Sequence, residues 1–264
     1  MSESSFSIAT FNANGIRARM HIILSWLKNN PIDCLLLQET KVQDKDFPKK
    51  EFEKVGLQVI FKGQKAYNGV AAISPHKMEV LCFGFGQDNL EENSRQLVFK
   101  IKGLTIVNSY IPQGKSIEDP AFEYKLNWFK RLRQFFETRF NKNSPIIWAG
   151  DMNVAPKAID VYAPEKKLNH VCFHESVRNA FKKCKDWGFE DCFRLLHPEE
   201  PQKYTFFDYR IPKAVERKLG WRIDHILATK PLQKRLIECF IDLNPRRLTK
   251  PSDHTFLIAR FNYK

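Results

Sequence analysis

Eleven short apolar runs, rich in β-branched and aromatic residues and divided by turn formers, constrain this chain more than any other feature. They are FSIATFN, DCLLLQE, LQVIF, GVAAIS, EVLCFGF, QLVFKI, LTIVNSY, PIIWAGD, RIDHILA, CFIDL and TFLIARF. Runs of this length and composition read as strands. Three segments carry helical spacing instead. Ile22, Ile23, Trp26 and Leu27 mark residues 19–29, and Phe122, Leu126, Phe129, Leu132, Phe135 and Phe136 mark residues 119–140. A third candidate runs from Ser176 to Trp187, with Ser176 as its cap. Many strands and few helices predict sheets packed on one another and covered by helices. Without repeat or low-complexity linker, residues 1–264 read as one domain.

Several of these runs end in polar clusters. IATFNANG ends in Asn12 and Asn14, CLLLQETK in Gln38, Glu39 and Lys41, VNSYIPQG in Tyr110 and Gln113, and IIWAGDMN in Asp151 and Asn153. GWRIDHIL places Asp224 in a strand pattern, and KPSDHTFL puts Asp253 and His254 just before the last strand. Each has a bland alternative. Gly, Asp and Asn are turn formers, SDH can be a cap, and Asp224 can pair with Arg222. Together they point to one edge of a rigid sheet scaffold, where catalytic side chains gather.

Composition narrows the partner. The 264 residues carry 43 Lys plus Arg against 30 Asp plus Glu, a formal charge of +13 and a pI near 9.4. Such an excess favours a polyanion, nucleic acid ahead of an anionic membrane. Six cysteines without a C-x-x-C pair read as reduced, mostly buried thiols rather than a disulfide frame or a zinc site. The N-terminus does not read as a signal peptide, and no apolar stretch approaches the ~20 residues of a membrane span. A soluble cytoplasmic protein is expected.

The polar clusters suit one chemistry. Glu and Asp without clustered cysteines are hard oxygen donors, fit for Mg²⁺ or Mn²⁺. A His beside an Asp forms an oriented pair in which the carboxylate favours imidazolium. Amides can place a phosphate or a water without adding negative charge. With a basic surface, this predicts metal-assisted hydrolysis of a phosphodiester.

The segments FNANGIRA, LLLQETK, YNGVAAIS, SYIPQG, GDMNVAP, YTFFDYR, GWRIDHILA and KPSDHTF stand in the order expected for the exonuclease III type of AP endonuclease. This is a branch of the endonuclease/exonuclease/phosphatase superfamily with a DNase I-like fold, and the chain resembles it from Phe6 to Phe261. The resemblance implies an α+β, four-layer α/β/β/α sandwich with two central, mostly antiparallel sheets flanked by helices. It implies Glu39 as principal Mg²⁺ ligand (Mn²⁺ as substitute), with Asn12 close by and Asp253 as a supporting ligand or a second-site metal residue. It makes Asp151 the group that deprotonates or positions the attacking water. Asn153, Tyr110 and His254 would contact the phosphate, and Asp224 would orient His254.

For DNA, the resemblance implies an apolar pocket of Phe206 or Phe207 with Trp221 and Ile223, and Arg210 as an intruding residue. Arg17, Lys41, Tyr67, Asn68, Arg95 and Gln113 would contact the strand. The implied substrate is duplex DNA with abasic sites or damaged or recessed 3′ ends, bound by a monomer. One segment departs from the family pattern: KKLNHVCFHESVR, residues 166–178, replaces an SGFLPEER-like stretch. His170 and His174 add bulk and charge where this loop approaches DNA; either His174 narrows the pocket, excluding an internal abasic site while admitting a frayed 3′ end, or it is an exposed helix-start residue. A phosphatase or sphingomyelinase-like enzyme on the same scaffold, and a DNA-binding module with a decayed site, are the competing readings.

Overall fold

The computed structural model describes residues 5–87 and 89–263. In chain order the first half runs β1 (Ser5–Asn12), α1 (Ile16–Asn29), β2 (Cys34–Gln38), α2 (Lys49–Glu53), β3 (Gln58–Lys62), β4 (Val70–Ser74), β5 (Met78–Phe83), α3 (Leu90–Asn93), β6 (Gln96–Ile101) and β7 (Leu104–Tyr110). The second half runs α4 (Pro120–Arg139), β8 (Ile146–Asp151), α5 (Glu175–Lys185), β9 (Phe189–Asp191), α6 (Cys192–Leu196), β10 (Asp224–Thr229), α7 (Lys230–Gln233), β11 (Leu236–Asp242) and β12 (Phe256–Asn262). The strands form two six-stranded sheets, ordered β11-β12-β1-β2-β4-β3 and β5-β6-β7-β8-β10-β9. Each contains a single parallel pair, β1 with β2 and β7 with β8; its other pairs are antiparallel. This is the expected four-layer sandwich.

Period-two alternation buries both faces of the central strands. In β8, Ile147 and Ala149 face the core between the sheets, while Ile146 and Trp148 join a second core beneath α4 and α5. In β1, Phe6 and Ile8 enter the central core, while Ala9 and Phe11 meet Ile22, Ile23 and Trp26 of α1. The helix α4 forms over its predicted stripe. Asp119 caps it by accepting the Ala121 N–H at 2.8 Å, and Pro120 supplies a first-turn residue without a needed N–H. Among the described residues, no helix is long and apolar enough to cross a membrane. All six cysteines are free, and all but Cys82 are buried.

Three expectations shift. The predicted third helix begins at Glu175, and its cap is His174, whose Nδ1 accepts the Ser176 N–H at 3.2 Å; Ser176 is inside the helix. A twelfth strand, β9, pairs with β10 where no strand was expected. Arg222 does not pair with Asp224; its Nε donates to Asp160 Oδ1 at 2.7 Å and its Nη1 meets Asp191 Oδ2 at 2.7 Å.

Gly150, one residue before the end of β8, is required by geometry. Its φ is +134°, and a Cβ there would lie 2.0 Å from the Ser109 carbonyl oxygen of the parallel neighbour. Gly150→Ala is therefore expected to lower stability by at least about 2 kcal/mol, read from urea denaturation. An unchanged midpoint would show that β7 and β8 can part without cost.

Candidate active site

The site forms where the two parallel pairs end. Asn12 closes β1, Glu39 follows β2, Tyr110 closes β7 and Asp151 closes β8. Antiparallel pairing brings the opposite end of β10 to the same edge, so Asp224 lies directly across from Asp151, which also faces Tyr110. His254 arrives just before β12, bridged to Phe206. Residues far apart in sequence thus share one edge because strand direction and register place them there.

Hydrogen bonds lock the cluster. The Asn12 amide nitrogen donates to Glu39 Oε1 and to Asp151 Oδ2, both at 2.8 Å, tying the two sheets together. His254 Nδ1 lies 2.8 Å from Asp224 Oδ2, while its Nε2 is 3.8 Å from Asp151 Oδ2, too far for a hydrogen bond. Asn153 accepts a left-handed φ of +50°, and its backbone N–H donates to Asp151 Oδ1 at 2.9 Å. Its side-chain amide donates to Ile111 O at 3.0 Å and to Asp151 Oδ2 at 3.3 Å. Met152 between them is wholly buried in the core, as the alternation of GDMN requires.

Charge is concentrated and unequal. Burial raises the Asp151 carboxyl to about 7, with Asp224 and Glu39 adding to the rise and His254 opposing it. Burial alone would lower His254, but the Asp224 and Asp151 carboxylates outweigh it and lift the imidazole to about 10. Burial would raise Glu39, yet Lys41, whose Nζ is 2.7 Å from Oε2, and the Asn12 amide hold it below the usual range. Burial, reinforced by Glu39 and Asp151, pushes the Tyr110 hydroxyl well up, so it remains a neutral donor.

A cavity of about 420 Å³ opens over this floor. Of the expected residues, Glu39, Tyr110, Gln113, Asp151, Asn153 and His254 line it, as do Asp253, Phe206, Arg210, Trp221 and Ile223. Asp224 and Asn12 are buried behind it. The choice between the two phenylalanines resolves to Phe206, whose ring is 5.0 Å from His254; Phe207 turns away to pack on Tyr204 and Ala214. The remaining expected DNA contacts lie outside. Arg95 covers the Tyr110 ring at 5.0 Å, Tyr67 is exposed, Asn68 is buried with its carbonyl accepting the Lys41 N–H, and Arg17 is exposed near Asp46.

His174 does not reach the cavity, since its ring packs edge-on against Phe122. The histidine that narrows the opening is His170, 4.4 Å from the Trp221 ring; burial lowers it to about 4, so it is neutral there. Sequence reading also missed Lys125. This wholly buried ammonium sits in the α4 stripe and donates to the carbonyls of Gln113 (3.0 Å), Asn153 (2.8 Å) and Val171 (2.8 Å). It satisfies all three donors and pins three cavity segments. Its only sequence signal is a charge where the helical stripe demands an apolar residue.

The donor set fits a hard divalent cation. Asp151, Asp224 and His254 offer ligand atoms all within 4.8 Å of one another. Glu39 adjoins them through Asn12, whereas Asp253 lines the cavity with Oδ1 accepting from the Asn14 amide at 3.0 Å. Among the described residues, Asp224 Oδ1 is buried without a partner. An orphaned carboxylate oxygen among three carboxylates is an environment that a cation relieves, and these oxygen donors suit Mg²⁺ or Mn²⁺, whereas the charged His254 imidazole has no lone pair to offer.

Comparison with known proteins agrees with this geometry. Residues 9–254 match the Endonuclease/Exonuclease/phosphatase family, to which the chain belongs. It is 34% identical to the exodeoxyribonuclease III of Haemophilus influenzae, covering 96% of this chain and 98% of that one. An AP endonuclease structure from Archaeoglobus fulgidus is 46% identical with a TM-score of 0.94, covering 98% of this chain and all of that one (100%). A 3′-5′ exonuclease from Neisseria meningitidis is 33% identical with a TM-score of 0.93, over the same shares of 98% and 100%.

The His254–Asp224 pair has a sign that can be measured. The stability it contributes is fully present below about pH 6.5 and lost as pH rises through about 10. In metal-free protein, Asp224→Asn is expected to lower the His254 pKa by more than about one unit, followed by NMR of the imidazole. An unmoved titration would assign the shift to another group.

Proposed function

We propose that the chain is a divalent-metal-dependent DNA-repair phosphodiesterase of the exodeoxyribonuclease III type. One observation carries this reading: a raised carboxyl, a charged imidazole and a neutral phenol converge on one cavity floor beside an aromatic wall. Mg²⁺, with Mn²⁺ as substitute, is the proposed ion, held by Glu39 with Asn12 and Asp151 close by and Asp253 supporting. When bound, it would offset negative charge on the phosphate oxygens.

Asp151, poised near neutrality, accepts the proton of the attacking water as the water oxygen bonds to phosphorus; the P–O bond to the leaving sugar oxygen breaks, and that oxygen takes a proton from solvent. His254, kept charged by Asp224, donates through Nε2 to a non-bridging oxygen of the phosphate. The Tyr110 hydroxyl donates to the same group. Asn153 reaches it by giving up the longer of its two amide bonds, the 3.3 Å contact to Asp151. Phe206, Trp221 and Ile223 wall the space for an unstacked sugar, while Arg210, Arg95, Arg17, Lys41, Tyr67, Asn68 and Gln113 contact the strand. The proposed substrate is duplex DNA with abasic sites or damaged or recessed 3′ ends, acted on by a cytoplasmic monomer whose 264 residues form one domain.

A second reading, 3′-end processing without incision at internal abasic sites, is favoured by the His170 ring lying against Trp221 in the same cavity. Purified protein with Mg²⁺ and duplexes carrying an abasic analogue, a recessed 3′ end or a 3′-phosphate separates the two. Asp151→Asn and His254→Ala are each expected to cut turnover at least ~100-fold on every duplex cleaved. Near-normal turnover in both variants would refute the assigned roles, and full activity after chelation would refute the metal. Cleavage below saturation is expected to fall steeply with salt, because cationic contacts to phosphates release counterions; a salt-independent rate would remove the strand contacts from this account.

A further inference from the structure

Arg222 stands between Trp221 and Ile223, both of which line the catalytic cavity, yet it borders a different one. Alternation along an extended segment accounts for the opposite direction. The second cavity, of about 470 Å³, has six cationic side chains in its wall against three carboxylates. The carboxylates are already engaged. Asp160 Oδ1 accepts from Arg222 Nε at 2.7 Å and Arg194 Nη2 at 2.6 Å, Asp191 Oδ2 lies 2.7 Å from Arg222 Nη1, and Glu190 holds Lys185 at 2.8 Å. Lys182 pairs outside the cavity wall with Asp186.

Two cations remain. Among the described residues, neither Lys157 nor Arg178 has a carboxylate partner. Two buried guanidinium nitrogens in the same wall, Arg222 Nη2 and Arg178 Nε, have no acceptor among the described residues, and Arg222 is wholly buried. A buried donor left unpaired is costly, and these two nitrogens can still take an acceptor beyond the carboxylates already engaged.

We propose that this cavity is a second anion site that takes a small phosphate monoester, with a nucleoside 5′-monophosphate as its fullest occupant. A dianionic phosphate matches the two unpaired cations, and guanidinium groups suit its oxygens. Phe181 and Leu195 supply apolar wall beside the charge, and the volume falls in the range of small-molecule sites. Because Arg222 is wholly buried and Arg178 half-buried while Lys157 is exposed, a compact anion fits better than a duplex backbone. The site itself stands on this geometry; that the mononucleotide is the enzyme's own exonuclease product rests on the function proposed above.

The test is calorimetric titration of the full chain, treated with chelator, with inorganic phosphate and separately with deoxyadenosine 5′-monophosphate. Saturable binding is expected, weakened at least about tenfold by the double variant Lys157→Ala/Arg178→Ala and changed less than about twofold by His254→Ala. Tighter binding of the nucleotide supports it as occupant, and equal affinity supports the site with inorganic phosphate in it. Loss of binding in His254→Ala with retention in the double variant would put the ligand in the catalytic cavity and overturn the proposal. So would the absence of saturable binding to wild type, or a double variant that loses only duplex affinity. A urea midpoint within the wild-type range keeps the double variant interpretable. None of these outcomes depends on cleavage, so failure here is separable from failure of the proposed reaction.

Discussion

Two sheets packed face to face could slide past one another if apolar contact were all that joined them. A seam of buried amides prevents it. Gln38 donates to Asn108 Oδ1 at 2.7 Å, Asn108 donates to the carbonyls of Leu37 and Ala71, and Asn12 reaches Asp151. Each partner lies on the opposite sheet, and a displacement of one residue would leave several buried polar groups unpaired. That cost, about 1–3 kcal/mol for each group, fixes the relative position of the sheets far more sharply than dispersion does. The catalytic edge inherits this precision, because Glu39 directly follows a strand of one sheet and Asp151 closes a strand of the other.

Much of this was legible in the residues. Runs such as LLLQ and IIWAG could form little but central strands, and the polar residues closing them had to meet at an edge once pairing directions were known. Other features depended on contacts that no local pattern encodes. The three residues of β9 become a strand only because β10 offers an unpaired side. Phe206 and Phe207 are indistinguishable until the bridge to Trp221 and His254 decides which ring turns inward. Lys125 is tolerated in an apolar stripe because carbonyls from three distant segments receive it. His174 serves as a helix cap through Nδ1, a role for which serine was the better sequence-based choice.

Behind the reactive groups lies a second buried set of charges. Arg222 is held between Asp160 and Asp191, with His225 Nδ1 at 3.0 Å from its Nη1 and His225 Nε2 at 2.8 Å from the Val154 carbonyl. Ions buried this deeply persist only when thoroughly paired, and removing one partner strands another. The network anchors the segment that carries Trp221, Ile223 and Asp224, so the aromatic wall and the orienter of His254 are held by one support.

Glu39, Lys41, Asn14 and Asn153 share a backbone property: each has a positive φ, between +45° and +54°, although none is glycine. Side chains pay roughly 1 kcal/mol for that conformation. Glycine at any of them would relax the main chain while deleting a working side chain, so selection for thermal robustness and selection for turnover pull these codons in opposite directions.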